Sequence, residues 1–276
     1  MTWTSDTPPP RAAIRPAVWP RVAIRLSLLA LVIFGGLALH LALRLIERPV
    51  FGPRRPLSSA LTQGVCRLSV AILRLTLRIE GQPVSGRAAL VANHSSWLDI
   101  FVLNAATQVC FVSKAEVARW PGIGWLARAT GTVFIRRDRR EAVQHKDMLE
   151  TRLRAGDRLL VFPEGTSSDG LRVLPFKTTL FQAFLSDGLR ETLQIQPVSV
   201  TYLAPDGVDP RALGWWGDMD FGGHLLQVLA MPRAGAVRLV FHPALRVADY
   251  PDRKALALAC EAAVRAGFGG GGLAGA

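Results

Sequence analysis

Cysteine is scarce in this chain. There are three, Cys66, Cys110 and Cys260, far apart and without a Cys-x-x-Cys pair. That excludes a disulfide framework and a cysteine-built zinc site, and it reads as a reduced compartment. Histidine is as thin. Apart from His94, the others (His40, His145, His224, His242) are scattered, with no His-x-His and no His-Glu-x-x-His. The ligand grouping of a metal-dependent hydrolase is therefore missing, and no metal is expected. Acidic residues are outnumbered, 21 Asp plus Glu against 33 Lys plus Arg, for a net charge of +12. Such a balance favours anionic partners, although a solvated arginine-rich surface gives the same number. No helix-turn-helix, zinc or RNA-binding signature accompanies the charge, so nucleic acid is not an expected partner.

What is present in quantity is apolar sequence, half of the residues. Residues 1–20 are rich in proline and polar residues and read as disordered. From Leu26 to Leu43 no Asp, Glu, Lys or Arg occurs, close to the ~17–25 residues that cross a hydrocarbon layer. Arg21 and Arg25 precede this run, and Arg44 and Arg48 follow it. A second helical pattern runs from about 57 to 79, with Leu61, Val65, Leu68, Ile72, Leu75 and Ile79 at helical spacing. A proline-broken connector, 48–56, lies between them. Residues 21–80 thus read as a membrane-associated helical hairpin set into one leaflet with basic ends at the headgroups, or as a single-span anchor.

From residue 81 to 266 the pattern alternates. Strands are expected at 87–93, 109–113, 132–136, 158–162, 193–202 and 236–242. Helices are expected at 99–106, 114–129 (interrupted by Pro121-Gly122), 139–155, 176–187 and 252–266. This predicts an α/β domain with a mixed, largely parallel sheet flanked by helices. A flexible glycine-rich tail, 267–276, follows.

Two segments carry chemistry. Asn93-His94-Ser95-Ser96-Trp97-Leu98-Asp99 places a histidine and a carboxylate with four residues between them. Histidine is the side chain that can act as a base near neutral pH without special perturbation, and a carboxylate on its other ring nitrogen holds one tautomer and stabilises the imidazolium. That is the minimum kit for taking a proton from an alcohol. The second segment, Phe162-Pro163-Glu164-Gly165-Thr166-Ser167, is a turn at the end of an apolar strand, where binding groups commonly sit.

Together these segments resemble the glycerolipid acyltransferase family, enzymes that acylate glycerol-3-phosphate and lysophospholipids. Two further blocks fit in the family's order: Gly131-Thr132-Val133-Phe134-Ile135-Arg136-Arg137, with Arg137 on the arginine position, and Gln196-Pro197-Val198-Ser199-Val200. A lone His-x4-Asp is weak; four ordered blocks over roughly 80–205 are specific.

The resemblance implies a membrane-bound O-acyltransferase of membrane lipid biosynthesis. It would move a fatty acyl group from an acyl thioester, of acyl carrier protein or CoA, to the free hydroxyl of a lyso-lipid. These thioesters are co-substrates, and no cofactor is implied. His94 would be the base, oriented by Asp99. Backbone N–H groups near the His94 turn would steady the oxyanion. Glu164, Gly165, Thr166 and Ser167 would shape the acceptor site, and Arg137 would offer a fork to phosphate or carboxylate. The implied location is a bacterial inner membrane, with the active site facing the cytoplasm.

One position departs from the pattern. Members acting on phosphate-bearing acceptors often have arginine directly after Phe-Pro-Glu-Gly-Thr; here it is Ser167. The string 164–177 and the later 215–221 both resemble the bacterial branch that acylates lyso-ornithine lipid, a phosphorus-free acceptor. Arg172 and Lys177 are candidates for the missing positive charge, and Asp169, Asp218 and Asp220 for an ornithine amine. Residues 215–221 also fit an interfacial loop. Acceptor candidates are therefore 1-acylglycerol-3-phosphate and lyso-ornithine lipid. The rival classes are a metal-dependent lipid or phosphoester hydrolase and a non-catalytic basic membrane-binding protein.

Overall fold

The aliphatic runs form one sheet, and the amphipathic segments cover it on both faces. The computed structural model describes residues 3–10, 13–86, 88–136 and 142–269. Two helices come first, α1 (Trp19–Phe51) and α2 (Pro56–Leu73). Then follow β1 (Leu75–Glu80), β2 (Ala88–Ala92), α3 (Leu98–Ala106), β3 (Cys110–Lys114), α4 (Ile123–Ala129), β4 (Val133–Ile135) and α5 (Ala142–Arg154). The chain continues through β5 (Leu159–Val161), β6 (Gln194–Leu203), α6 (Phe221–Ala230), β7 (Gly235–Phe241), β8 (Leu245–Arg246) and α7 (Arg253–Gly267).

Among the described residues the sheet has eight strands, in the order β1-β7-β6-β2-β5-β3-β4, with β8 beside β6. Strands β6, β2, β5, β3 and β4 run parallel. Strands β7 and β8 are antiparallel to β6, and β1 is parallel to β7. This is the mixed, largely parallel sheet expected. Strand β2 shows why its sequence is apolar throughout. Leu90 and Ala92 enter a core shared with α1, α2, α3 and α6, while Ala89 and Val91 enter a second core with α5 and α7. Strands buried on both faces read as continuous apolar runs.

Several expectations need correction. The helix predicted to about residue 79 ends at Leu73, because Arg74 turns left-handed at φ 54°. Residues 75–80 are instead β1, paired along its length with β7. Here Leu75, Leu77 and Ile79 also alternate with polar residues, and the period of two won once a partner strand was available. The helix predicted over 176–187 is a 3-10 helix, Thr178–Leu185. Its three-residue repeat puts Phe181 and Phe184 on one buried side. Helix α6 was not expected, since Gly222 and Gly223 lower helix propensity. Asp220 starts it by accepting the Gly223 N–H at 2.6 Å. The predicted disorder does not extend to residue 20: a 3-10 turn begins at Pro16 and α1 at Trp19. Of the tail, Gly267 is the last residue of α7, and residues 270–276 lie outside those described.

Helices α1 and α2 pack together as the expected hairpin. The buried carboxylate of Glu47 accepts the N–H groups of Leu57 and Ser58, capping α2 from the other arm.

The basic residues are not all free for partners. Arg25 is buried and donates to the carbonyls of Leu229, Met231 and Pro232, and Arg21 donates to Ala230. Both close the C-terminus of α6. Arg67 does the same for α3 at the Ala105 carbonyl (2.9 Å), Arg55 for α4 at Ala129 (3.4 Å) and Arg238 for α7 at Gly267 (2.9 Å). Helix C-termini carry orphan carbonyls and partial negative charge, so a guanidinium is a fitting cap. Part of the charge excess is thus structural. Arg21 and Arg25, expected at lipid headgroups, are instead spent on the protein. Arg25→Ala should lower stability by about 2–3 kcal/mol, read as a drop in Tm in detergent, whereas a headgroup anchor would change only membrane partition.

Candidate active site

Strands β2 and β5 are parallel neighbours with Val91 opposite Val161. Each ends a few residues before a motif, so His94 and Glu164 leave the sheet at the same edge. That register brings together blocks separated by 70 positions. Ligand sites of parallel α/β sheets lie beyond the C-terminal ends of the strands for this reason.

The His94 ring binds Asp99: Nδ1 lies 2.6 Å from Oδ2. Asp99 sits in the first turn of α3, where the helix dipole favours an anion. It is fully buried, and every other partner is a donor. Oδ2 accepts the N–H groups of Ser95 (2.8 Å) and Ser96 (3.1 Å), and Oδ1 accepts the Tyr202 hydroxyl (2.7 Å). An oxygen that already accepts two N–H groups takes a third donor, so Nδ1 carries the hydrogen and Nε2 is left as the base. The His94 ring stacks on Phe162 at 4.2 Å and keeps 21% of its side chain exposed. It is held on one side and open on the other.

Glu164 acts on the same turn from below. Its Oε2 accepts the His94 N–H at 3.0 Å, and its Oε1 accepts the Leu174 N–H at 2.8 Å. Both oxygens are therefore engaged by backbone, and the residue ties the His94 turn to the loop that carries Leu174. Burial pushes its carboxyl up to about 8, against the pull of the two N–H groups. The unfolded chain then holds fewer protons than the folded one between the ordinary glutamate range and about 8. Stability attributable to this group falls as pH rises through that window. Wild type should lose more Tm between pH 6 and pH 9 than Glu164→Gln, which cannot ionise, by thermal denaturation at both pH values.

Two loops clasp the His94 turn. Ser168 N–H donates to the His94 carbonyl (2.9 Å), and Trp215 N–H donates to the Ser95 carbonyl (2.8 Å). The loops touch each other where Gly214 meets the Asp169 backbone; a Cβ there would lie 2.8 Å from the Asp169 oxygen. Gly165 turns at φ 67°, a conformation open to glycine. Trp215 thus belongs to the site, and Trp216 is buried. Residues 215–221 are not simply an interfacial loop.

The remaining sequence candidates divide. Thr166 accepts the Trp3 N–H at 3.3 Å, and Ser167 is buried. Arg172 forks onto the buried Asp169 with Nε at 3.1 Å and Nη2 at 2.9 Å. Asp169 is therefore engaged by a guanidinium, and Asp220 by the start of α6; neither is a vacant partner for an amine. The Lys177 backbone N–H bonds the Pro163 carbonyl at 2.9 Å, and the residue is exposed. Arg137 lies outside the described residues. Of the backbone N–H groups near the His94 turn, those of His94, Ser95 and Ser96 are taken by Glu164 and Asp99.

Sequence reading missed Tyr202, Phe162 and His224. Tyr202 is one of two tyrosines and sits in an apolar strand, which gave no signal of a buried acid beside it. His224 Nδ1 accepts the Trp97 indole N–H at 2.9 Å, so Nε2 carries the hydrogen toward the Ala212 carbonyl at 3.2 Å. Burial lowers its pKa to about 4. It is a neutral packing partner of Trp97.

A partly open imidazole, fixed by a buried carboxylate at the strand ends of a largely parallel α/β sheet, is an arrangement able to take a proton from a hydroxyl. The acyltransferase family model matches residues 74–201. The lyso-ornithine lipid O-acyltransferase of Rhodobacter capsulatus is 58% identical over 97% of each chain. That of Pseudomonas aeruginosa is 36% identical over 86% of this chain and 89% of its own. The 1-acyl-sn-glycerol-3-phosphate acyltransferase of Neisseria meningitidis is 32% identical over 64% of this chain and 68% of its own. The crystal structure of the 1-acyl-sn-glycerophosphate acyltransferase of Thermotoga maritima shares the fold, with TM-score 0.62, 21% identity, and coverage of 91% of this chain and 93% of that one. The chain belongs to the glycerolipid acyltransferase family, in the branch that joins lyso-ornithine lipid and 1-acylglycerol-3-phosphate acyltransferases, and is an acyltransferase.

Proposed function

We propose that this acyltransferase moves a fatty acyl group from an acyl thioester to the hydroxyl of lyso-ornithine lipid. The observation that carries the chemistry is the His94–Asp99 pair at 2.6 Å with the ring still partly open. His94 Nε2 takes the proton of the acceptor hydroxyl as its oxygen attacks the thioester carbonyl. The C–S bond then breaks, and the thiol leaves with the proton returned from the imidazolium. The thioester is already activated, so no covalent acyl-enzyme is needed, and the atoms balance without a cofactor. The donor's carrier is acyl carrier protein or CoA.

The acceptor rests on two supports. The relative at 58% identity bears the lyso-ornithine name. One of the two candidate replacements for the arginine missing at Ser167, Arg172, is also already paired, being forked onto buried Asp169. A charge-assisted bond to phosphate contributes about 1.5–3 kcal/mol, and the Asp169 pair competes with Arg172 making one. Gly165, Thr166 and Ser167 line the acceptor side of the site.

Membrane association follows from α1. It is long and apolar enough to cross a bilayer, yet Arg21 near one end bonds α6, while Arg55, just past the other, bonds α4. Both ends lie against the same catalytic domain, so the helix runs along it. Its outward side, with Leu31, Leu45 and Ile46, is exposed. An apolar face of that extent belongs in lipid, and the hairpin reading is preferred over a single span. The proposed place is the inner membrane, with the site facing the cytoplasm and its thioester carriers.

The test is to incubate purified protein with a labelled acyl thioester and a panel of lyso-lipids. Transfer to lyso-ornithine lipid well above lysophosphatidate is expected, with turnover retained in a chelator. Transfer to lysophosphatidate alone would overturn the acceptor, and loss of turnover in the chelator would favour a metal-dependent enzyme.

A further inference from the structure

The N-terminal arm, residues 3–10, crosses both loops that clasp the His94 turn. Trp3 makes three contacts there. Its N–H donates to Thr166 Oγ1 at 3.3 Å. Its indole stacks on the Arg172 guanidinium, 5.3 Å from ring centre to Cζ. It also meets Trp216 at 6.4 Å between centroids. The arm is tied further along: Arg211 donates to Thr7 Oγ1 at 2.6 Å and to the Pro8 carbonyl at 3.4 Å. Thr4 and the Trp3 carbonyl pass so near Gly217 that a Cβ there would touch both.

These contacts have a common address. Thr166 and Arg172 lie on the loop whose Ser168 bonds His94; Trp216 and Gly217 lie on the loop whose Trp215 bonds Ser95. We propose that Trp3 walls the acceptor site and is a positioning residue that sets acceptor selectivity, acting through Arg172 and Thr166. The proposal rests on reading the loop after Glu164 as the acceptor side.

The physical reason is the state of Arg172. Asp169 takes its Nε and Nη2 and offsets its charge, and the Trp3 ring covers one face of the guanidinium. A cation so held is a poor partner for a phosphate, so a phosphorus-free acceptor is favoured. Removing the ring uncovers that face, and removing residues 1–10 also takes the Trp3 N–H off the Thr166 hydroxyl. A cation–π contact of about 0.5–1 kcal/mol corresponds to roughly two- to fivefold in an equilibrium.

The experiment compares the full chain, Trp3→Ala, Trp3→Phe and a chain lacking residues 1–10, in lipid–detergent micelles with one acyl thioester. It measures kcat and KM for lyso-ornithine lipid and for lysophosphatidate, and the donor KM. Expected for Trp3→Ala and for the shortened chain is a rise in KM for lyso-ornithine lipid of about two- to fivefold. The ratio of kcat/KM should shift toward lysophosphatidate by a similar factor, with donor KM unchanged. Trp3→Phe, which keeps a ring over Arg172, should restore both. Equal losses of kcat on both acceptors with no change in KM or ratio would overturn the proposal, as would variants that match wild type. A wild type that acylates neither acceptor overturns the reading of the site and the wall with it. A transferring wild type with silent Trp3 variants overturns the wall alone.

Discussion

His94→Ala should lower kcat by about 10²- to 10⁴-fold, the range a positioned general base supplies, while the protein stays folded. The folding half of that expectation comes from Asp99. Once the imidazole is gone, the buried carboxylate still holds the Ser95 and Ser96 N–H groups and the Tyr202 hydroxyl. No charge is stranded, so the penalty that follows from orphaning a buried ion does not arise. The lost packing is one face of Phe162, at a site that was already partly open. The check is turnover with labelled thioester beside Tm and near-UV circular dichroism. Wild-type turnover in the folded variant would remove His94 from the mechanism.

Asp99→Asn should also be severe, but in a way that depends on the backbone. An amide has one oxygen and one NH₂ group. The Oδ2 position faces three donors, His94 Nδ1 and the two N–H groups, whereas Oδ1 faces a hydroxyl that can accept instead of donate. The asparagine oxygen is therefore directed to His94, and the productive tautomer survives. What is lost is the negative charge that stabilises the imidazolium. The expected loss in kcat is about 10²-fold, smaller than the ~10⁴-fold seen when such a swap inverts the tautomer. Coupling to Tyr202 is the diagnostic. Tyr202→Phe should be mild in the wild type and harsher in the Asp99→Asn background, where it leaves the NH₂ group without an acceptor. Additive effects of the two substitutions would contradict this geometry.

Much of the architecture could be read from the chain, and the failures have identifiable causes. Strands β2, β3, β5, β6 and β7 are short aliphatic runs bounded by turn residues, so their place was legible. Strand β1 was hidden because Leu75 and Ile79 satisfy a helical count, while Leu75, Leu77 and Ile79 satisfy an alternating one; only β7 alongside decides between them. Helix α6 was hidden by two glycines in its first turn and by a cap whose value depends on where α1 supplies Arg25. The arginines misled in a different manner. Their count is a property of composition, but whether a guanidinium meets lipid or a helix C-terminus depends on which element passes nearby.

The amino-acid order alone supplied the candidates: the proposed base His94, the acid Asp99 to serve it, and Ser167 in place of an arginine after the Glu164 turn. These are statements about residue types at short spacing, and local spacing survives any fold. The tertiary structure decided what each group is free to do. Parallel register put Glu164 under the His94 backbone and Tyr202 against Asp99, and the N-terminal arm brought the Trp3 ring over Arg172. Hydrogen bonds and charge pairs between residues tens to hundreds of positions apart depend on a few ångströms of relative placement. No pattern along the chain encodes that distance until the sheet sets it.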